Sequence, residues 1–199
     1  MALGYIAAFS ETLALAVIAD RGLVPLAGAL QEEAEDHIRS ATAWTLGQIG
    51  RHTPDHAKAV ADTGALPVLV SLESSPKSSE DLRTKCTRAM KAVVGKLTHL
   101  PALDAMVNNP SPVPEAVMKL VLEQIGRVLA NDPPSRPAFV HSGGLAAVQR
   151  MGEAPGGRLK EAVEIINSNY PEQIVKYYSP SYSKALLEEL EAQSQAAAG

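Results

Sequence analysis

Cysteine is almost absent from this chain: one residue, Cys86, among 199. A single thiol excludes an internal disulfide framework and any multi-cysteine zinc or iron–sulfur site, and it fits a reducing compartment. Aromatics are scarce as well, at 4%, with one tryptophan and two phenylalanines. The core must therefore be built from aliphatics and alanine, which suits close-packed helices better than a sandwich of aromatic and β-branched strands. Positive charge is not in excess: 18 Lys and Arg against 22 Asp and Glu leave a net charge of −4. That balance argues against a general nucleic-acid binder. No stretch reaches the roughly 20 unbroken apolar residues that span a bilayer. The apolar start, Met1 to Ala19, is interrupted by Glu11 and has no basic lead, so it makes a poor signal peptide and no membrane segment is expected. What remains, 46% hydrophobic and 20% charged, supports a substantial core. Composition predicts a soluble, intracellular, all-α protein.

The chain repeats itself. Leu3-Gly4-Tyr5-Ile6 returns as Leu46-Gly47-Gln48-Ile49, 43 positions on, and Ile49-Gly50-Arg51 returns as Ile125-Gly126-Arg127, 76 positions on. A second marker, glycine before a short apolar run, occurs at Gly22-Leu23-Val24-Pro25-Leu26 and, 42 positions later, at Gly64-Ala65-Leu66-Pro67-Val68-Leu69. Gly143-Gly144-Leu145 follows after nearly two further periods. Two independent markers share one period of the length of a multi-helix repeat.

Each period reads as a short helix, a glycine break, a second short helix and a long third one. Ser10 caps a helix over 11–20, Gly22 supplies the sharp turn, and helices follow over 24–32 and 35–51. Thr53 is the next N-cap with Pro54 at the first helical position, then come Gly64, a helix over 66–73 and a long one over 79–97. A third unit holds helices over 100–107 and 114–130, separated by Asn109-Pro110-Ser111-Pro112. The fourth has 133–141, Gly143-Gly144, 145–151 and 157–168. The unit boundaries are 10–52, 53–97, 98–131 and 132–169. Leu82, Cys86, Ala89, Met90, Val93 and Leu97 share one helical face, as do Val117, Leu120, Val121, Ile125, Val128 and Leu129. No run sustains strand alternation.

Residues 1–9 look like the end of a third helix whose first turns are missing, so the chain reads as the C-terminal part of a longer solenoid. An array needs polar end units, yet Leu3, Tyr5 and Ile6 are apolar. Exposing on the order of 400 Å² of repeat interface costs about 10 kcal/mol at 25 cal/mol/Å², which predicts that a second copy covers it. Residues 170–199 differ in texture: Tyr177, Tyr178 and then an amphipathic helix with Tyr182, Leu186 and Leu190 on one side. These residues either cap the last repeat or reach a neighbouring copy in a homodimer or higher homo-oligomer.

Reaction chemistry finds little support. His52 and His56 have metal-ligand spacing, but Thr53-Pro54 starts a helix between them and no third ligand is near. Cys86 sits on an apolar stripe, the place of a small hydrophobe rather than a nucleophile. Ser142-Gly143-Gly144 follows no strand, so it is no nucleophile elbow, and there is no phosphate loop or dinucleotide fingerprint. No catalytic residue, metal or cofactor is expected. Two surface features stand out instead. Lys85, Arg88, Lys91 and Lys96 fall on the outer side of the second long helix, either as a solvated face or as a docking strip for an acidic partner. His37, Trp44, Gln48 and Arg51 lie along the first long helix, where Trp44 is either packing or the anchor of a partner-binding groove.

Helix triplets of this period, with Gly64-Ala65-Leu66-Pro67-Val68-Leu69-Val70, resemble armadillo repeats, which implies a right-handed superhelix of three-helix units. The likeness narrows at Ala2 to Glu11, Ala43-Trp44, Gly47 to Pro54, Ser78-Ser79-Glu80-Asp81, Leu100-Pro101-Ala102-Leu103, Ser142-Gly143-Gly144-Leu145, Tyr170-Pro171-Glu172, Tyr177-Tyr178-Ser179-Pro180 and Tyr182-Ser183. These segments resemble the C-terminal half of the sperm-associated antigen 6 and paralysed-flagella family. The resemblance implies a non-enzymatic scaffold of the axonemal central pair, on its C1 microtubule, needed for motility and for stability of the central apparatus. It also implies residence in the flagellar or ciliary axoneme, after a cytoplasmic phase, with other axonemal proteins and tubulin as candidate partners. The competing reading is an armadillo adaptor for nuclear import or signalling. Importin-α adaptors use a ladder of Trp and Asn four apart on successive third helices; here Trp44 stands alone, with Gln48 in the Asn position.

Overall fold

The computed structural model describes residues 2–153, 157–182 and 186. Among them every regular element is an α-helix. A first helix, α1 (Ala2–Phe9), precedes a triplet of α2 (Glu11–Ala19), α3 (Leu23–Glu32) and α4 (Asp36–Gly50). The second triplet is α5 (Pro54–Asp62), α6 (Ala65–Ser74) and α7 (Glu80–Val94). The third unit is a pair, α8 (Leu100–Val107) and α9 (Glu115–Asn131). The last triplet is α10 (Ser135–His141), α11 (Gly144–Gly152) and α12 (Lys160–Asn167), followed by α13 (Glu172–Tyr178). No described helix is long and apolar enough to cross a membrane; α2 and α3 are apolar in combination but bend by 79°.

The expected start signals act as side-chain caps. Ser10 Oγ accepts the Leu13 N–H at 3.2 Å, Thr53 Oγ1 that of His56 at 3.3 Å, and Ser79 Oγ that of Leu82 at 3.3 Å. Two of the three glycine breaks turn through the left-handed region, Gly64 at φ +75° and Gly143 at φ +84°. The first differs: Arg21 takes φ +59°, and Gly22 is right-handed at φ −65°. Gly22 is held to glycine by space, because a Cβ there would lie 2.8 Å from Val17 Cγ1 and 2.9 Å from the Val17 carbonyl oxygen. The third unit keeps only two helices because Pro110, Pro112 and Pro114 crowd its connection; each lacks an N–H and restricts the residue before it. Helix α7 stops at Val94 rather than 97, so Lys96 lies in the turn beyond it, while Leu97 still closes the core at 0% exposure.

Five helices, α1, α4, α7, α9 and α12, stack side by side in chain order, and this row is the spine of the molecule. The recurrent Leu-Gly and Ile-Gly strings supply the glycines that allow the stacking. A Cβ on Gly47 would lie 2.9 Å from Ala89 Cα, on Gly50 2.7 Å from Val93 Cγ2, and on Gly126 2.9 Å from Ile165 Cγ2. Gly4 faces the indole of Trp44 with no room for a side chain. Polar staples cross the same junctions. The Ser79 N–H donates to Asp36 Oδ2 at 2.6 Å, joining the starts of α4 and α7, and that bond is the chief reason the Asp36 carboxyl is held below its usual range. Arg158 donates to Glu115 Oε1 at 3.2 Å, joining α9 to the approach of α12.

The two histidines bridge backbone rather than a metal. His52 Nε2 lies 2.7 Å from the Ala7 carbonyl and His56 Nε2 lies 3.3 Å from that of Glu11, each 45 residues earlier. One tautomer satisfies every His56 contact: Nε2–H donates to Glu11, and the Thr53 hydroxyl donates to Nδ1 at 2.6 Å. Among the described residues no group of three or more His, Cys, Asp or Glu could hold a metal ion. Cys86 is buried, and desolvation pushes its thiol up to about 12, far from the thiolate that nucleophilic chemistry needs.

One end of the stack is left apolar. Phe9 is 84% exposed, Tyr5 63% and Val24 70%, with Leu3 and Ile6 also open. At the other end α13, which the sequence pattern did not resolve as a helix, packs on α11 of its own chain. Tyr178 rests against the core while Tyr177 points out, and the two rings meet edge-on at 5.0 Å. Tyr170 donates to the Arg136 carbonyl at 3.2 Å, and burial pushes its phenol up to about 12. The Tyr182 ring lies tilted against that of Tyr177 with centroids 5.2 Å apart, and Leu186 is exposed. Leu190, with most of the expected terminal helix, lies outside the described residues.

Helical glycines on and off the spine should respond oppositely. Gly47→Val forces a side chain against the α7 backbone and is expected to cost about 1–3 kcal/mol. Gly28→Ala, in α3 where nothing lies within 4 Å of the new Cβ, is expected to stabilise by about 0.5–1 kcal/mol. Urea denaturation of both variants checks the pair of signs.

Candidate protein-binding surfaces

The spine presents one side of α4 and α7 as an open concavity of about 540 Å³, lined by His37, Ile38, Ser40, Ala41, Trp44, Asp81 and Lys85. The lining follows from helical spacing: His37, Ser40, Ala41 and Trp44 lie on one side of α4, and Asp81 and Lys85 are one turn apart on α7. Trp44 reaches this place because Gly4 lets α1 close on one face of its indole, while Tyr5 meets it edge-on with ring centroids 4.9 Å apart. The indole is thereby fixed by packing and still offers an edge to the concavity. Trp44 is thus a packing residue that also lines the concavity.

Of the row expected along α4, His37 and Trp44 line the concavity, and His37 Nδ1 lies 3.8 Å from Glu35 Oε2. Gln48 and Arg51 do not join them: Arg51 Nη1 donates to Gln48 Oε1 at 2.8 Å, pairing the two at the far end of the helix. Of the basic strip, Lys85 turns into the concavity, Arg88 and Lys91 are exposed on α7, and Lys96 follows its end. None of the four belongs to an ion pair among the described residues. Lys85 therefore links two features that the sequence kept separate, placing a cation beside the tryptophan. Sequence reasoning missed Ile38, Ser40 and Asp81. The Ser40 hydroxyl is buried with no hydrogen-bond partner among the described residues, an unmet polar valence in the concavity lining.

A fixed aromatic edge, a lysine and unfilled apolar space suit adhesion to an extended or helical segment of another protein. Acid–base or nucleophilic chemistry would need convergent titratable groups, and the described concavity offers one aspartate, one lysine and a peripheral histidine.

No protein-family model matches the chain. Over 162 residues, 81% of its length, it is 50% identical to sperm-associated antigen 6 of Mus musculus and 51% identical to that of Homo sapiens. Those residues are 31% of each relative, so the chain spans about a third of the length of the curated proteins it matches. It is also 37% identical over 79 residues to importin subunit alpha-1b of Oryza sativa subsp. japonica, covering 39% of this chain and 14% of that one. Among solved structures, computationally designed armadillo repeat proteins for modular peptide recognition align over 96% of this chain and 83% of theirs, with a TM-score of 0.58 and 17% identity. A designed armadillo repeat protein in complex with a (KR)4 peptide aligns over 95% and 82%, with a TM-score of 0.55 and 18% identity. The fold is an all-α armadillo solenoid.

Trp44 is the single tryptophan, so its emission reports what enters the concavity. A polyglutamate peptide is expected to shift that emission in low salt and to lose affinity steeply as salt is added. Reversing Lys85, Arg88 and Lys91 to Glu should weaken the binding by about tenfold or more. Unchanged affinity in the reversed variant, read by fluorescence titration, would discard the docking strip.

Proposed function

The chain belongs to the sperm-associated antigen 6 family of armadillo proteins, and on that premise we propose that it is a scaffold of the flagellar or ciliary axoneme that works by binding other proteins. Half identity over 162 residues to two sperm-associated antigens is the observation that carries this reading. The finer assignment is to the central pair, on its C1 microtubule, with a part in motility and in holding the central apparatus together. The concavity at Trp44 and Lys85 would grip an axonemal partner, and the basic residues of α7 suit an acidic chain such as a tubulin tail.

A laid-down scaffold also has to join copy to copy. The open apolar end of α1 to α3, with Leu3, Tyr5, Ile6 and Phe9, supports self-association, and Tyr177, Tyr182 and Leu186 offer apolar surface near the other end. A head-to-tail contact between unlike faces generates an open filament wherever its rotation does not close into a ring, and such a filament fits periodic placement along a microtubule. The rival reading, an adaptor for nuclear import or signalling, draws support from the partial likeness to importin subunit alpha-1b. It is weakened because α7, α9 and α12 carry no tryptophan to extend a ladder from Trp44.

Two experiments test the proposal. Tagged full-length protein is expected to remain with detergent-extracted axonemes at the central pair, whereas a nuclear or fully extracted signal would favour the adaptor. Sedimentation at rising concentration is expected to show an oligomer that Ile6→Asp with Phe9→Asp dissociates. A wild-type monomer at high micromolar concentration would remove the self-association.

A further inference from the structure

A second concavity, of about 180 Å³, opens between α8 and α10, away from Trp44 and Lys85. Its walls are apolar: Leu100 and Pro101 from α8, Ala138 and Phe139 from α10. A carboxylate is set among them. Asp104 contributes its side chain to the lining, beside the hydroxyl of Ser142. Gly144 makes this possible, since any Cβ there would collide with both the Phe139 ring and the Asp104 carboxylate. The arrangement is thus built by three elements, α8, α10 and the first residue of α11.

The carboxylate is under-served. It accepts from Asn108 Nδ2 at 3.1 Å, while the nearby Ser142 hydroxyl donates to the Phe139 carbonyl at 2.9 Å, and no cation pairs with the carboxylate among the described residues. Burial raises its pKa, with the nearby Ser142 hydroxyl opposing. A carboxyl whose folded pKa lies above its unfolded one contributes stability below the unfolded pKa and loses it as pH rises through the folded value. At neutral pH the ionised Asp104 therefore burdens the free protein, and a bound cation would relieve that burden.

We propose that the concavity between α8 and α10 is a docking pocket for a lysine or arginine side chain of a partner protein. The methylene stem lies along Leu100, Pro101, Ala138 and Phe139, and the cationic head meets the Asp104 carboxylate and the Ser142 hydroxyl. Size agrees: a cavity of about 150 Å³ admits a benzene-sized group, comparable to an aliphatic stem with its head. So does chemistry, because such side chains bury their stems and need an acceptor only at the tip. The scaffold then carries two docking points of opposite preference, Lys85 and its neighbours for an acidic partner and Asp104 for a basic one.

The test uses N-acetyl-lysine methylamide and its uncharged isostere N-acetyl-norleucine methylamide, titrated into the full chain and followed by amide NMR shifts of Asp104, Phe139 and Ser142. The lysine probe is expected to shift these resonances saturably with a Kd in about the millimolar range for so small a ligand. Removing the charge from either side, by Asp104→Asn or by the norleucine probe, should weaken binding about tenfold or more. Ala138→Phe, at an exposed position, should block the pocket without touching the carboxylate, and it serves if Asp104→Asn folds poorly. Asp104→Asn is also expected to raise the Tm at neutral pH but not at a pH below the carboxyl range. Equal affinity for the two probes, wild-type affinity in Asp104→Asn or Ala138→Phe, or no saturable shift would each overturn the proposal. The first of these would make the pocket an anchor for an apolar residue.

Discussion

Close approach of successive third helices is the constraint on which the rest of this molecule depends. At Gly4, Gly47, Gly50 and Gly126 the neighbouring helix comes so near that a single added carbon would meet its backbone or one of its side chains. Dispersion attraction at that distance is small for each atom pair and large in sum, and an aliphatic core with one buried phenylalanine, Phe139, has little else to draw on. Glycine in mid-helix costs roughly 0.5–1 kcal/mol relative to alanine, so its recurrence at the stacking face is a local loss offset by inter-repeat packing. Polar staples such as Asp36 to Ser79 and His52 to Ala7 set the register of each step.

The candidate binding surfaces inherit their geometry from this spine. Trp44 is held by Gly4 and Tyr5 behind it, so its exposed edge is pre-ordered and a partner meets little loss of side-chain freedom. Lys85 stands opposite because α7 follows α4 at stacking distance, which brings a residue 41 positions away to the same concavity. Groups that face a wide, open trough are solvated and far apart, and they lack the enclosure that makes electrostatic catalysis strong.

Much of this was legible in the chain, for definite reasons. The Leu-Gly-x-Ile string recurs because α1 and α4 each present a glycine to the next spine helix, and glycine before an apolar run recurs because the chain breaks sharply between first and second helices, through the left-handed region at Gly64 and Gly143. Caps at Ser10, Thr53 and Ser79 were readable since they depend on local contacts. Other features were hidden because they depend on tertiary packing. Arg21 rather than Gly22 takes the left-handed turn, and Gly22 is a glycine because Val17 leaves no room for a Cβ there. Gln48 and Arg51, on the expected groove row, pair with each other instead of facing the concavity. The helix α13 lacks buried residues of its own, so no apolar period announced it. The concavity at Asp104 draws on three elements, and no local pattern can reveal such a meeting.

In a stack where each unit touches mainly its neighbours, stability is close to a sum of unit and interface terms. The glycine-lined spine supplies those terms, leaving outward faces free to vary with their partners. A residue such as Arg88 or Lys91 can change sign with little effect on folding, since exposed charges are worth little there. Asp104 is different in kind, because its carboxylate is partly withdrawn from water with no cation paired to it among the described residues. Leu100 and Phe139, buried beside it, give the carboxylate an apolar surround. A carboxylate held in such a concavity, where ionisation is unfavourable, is the group that a basic partner would relieve.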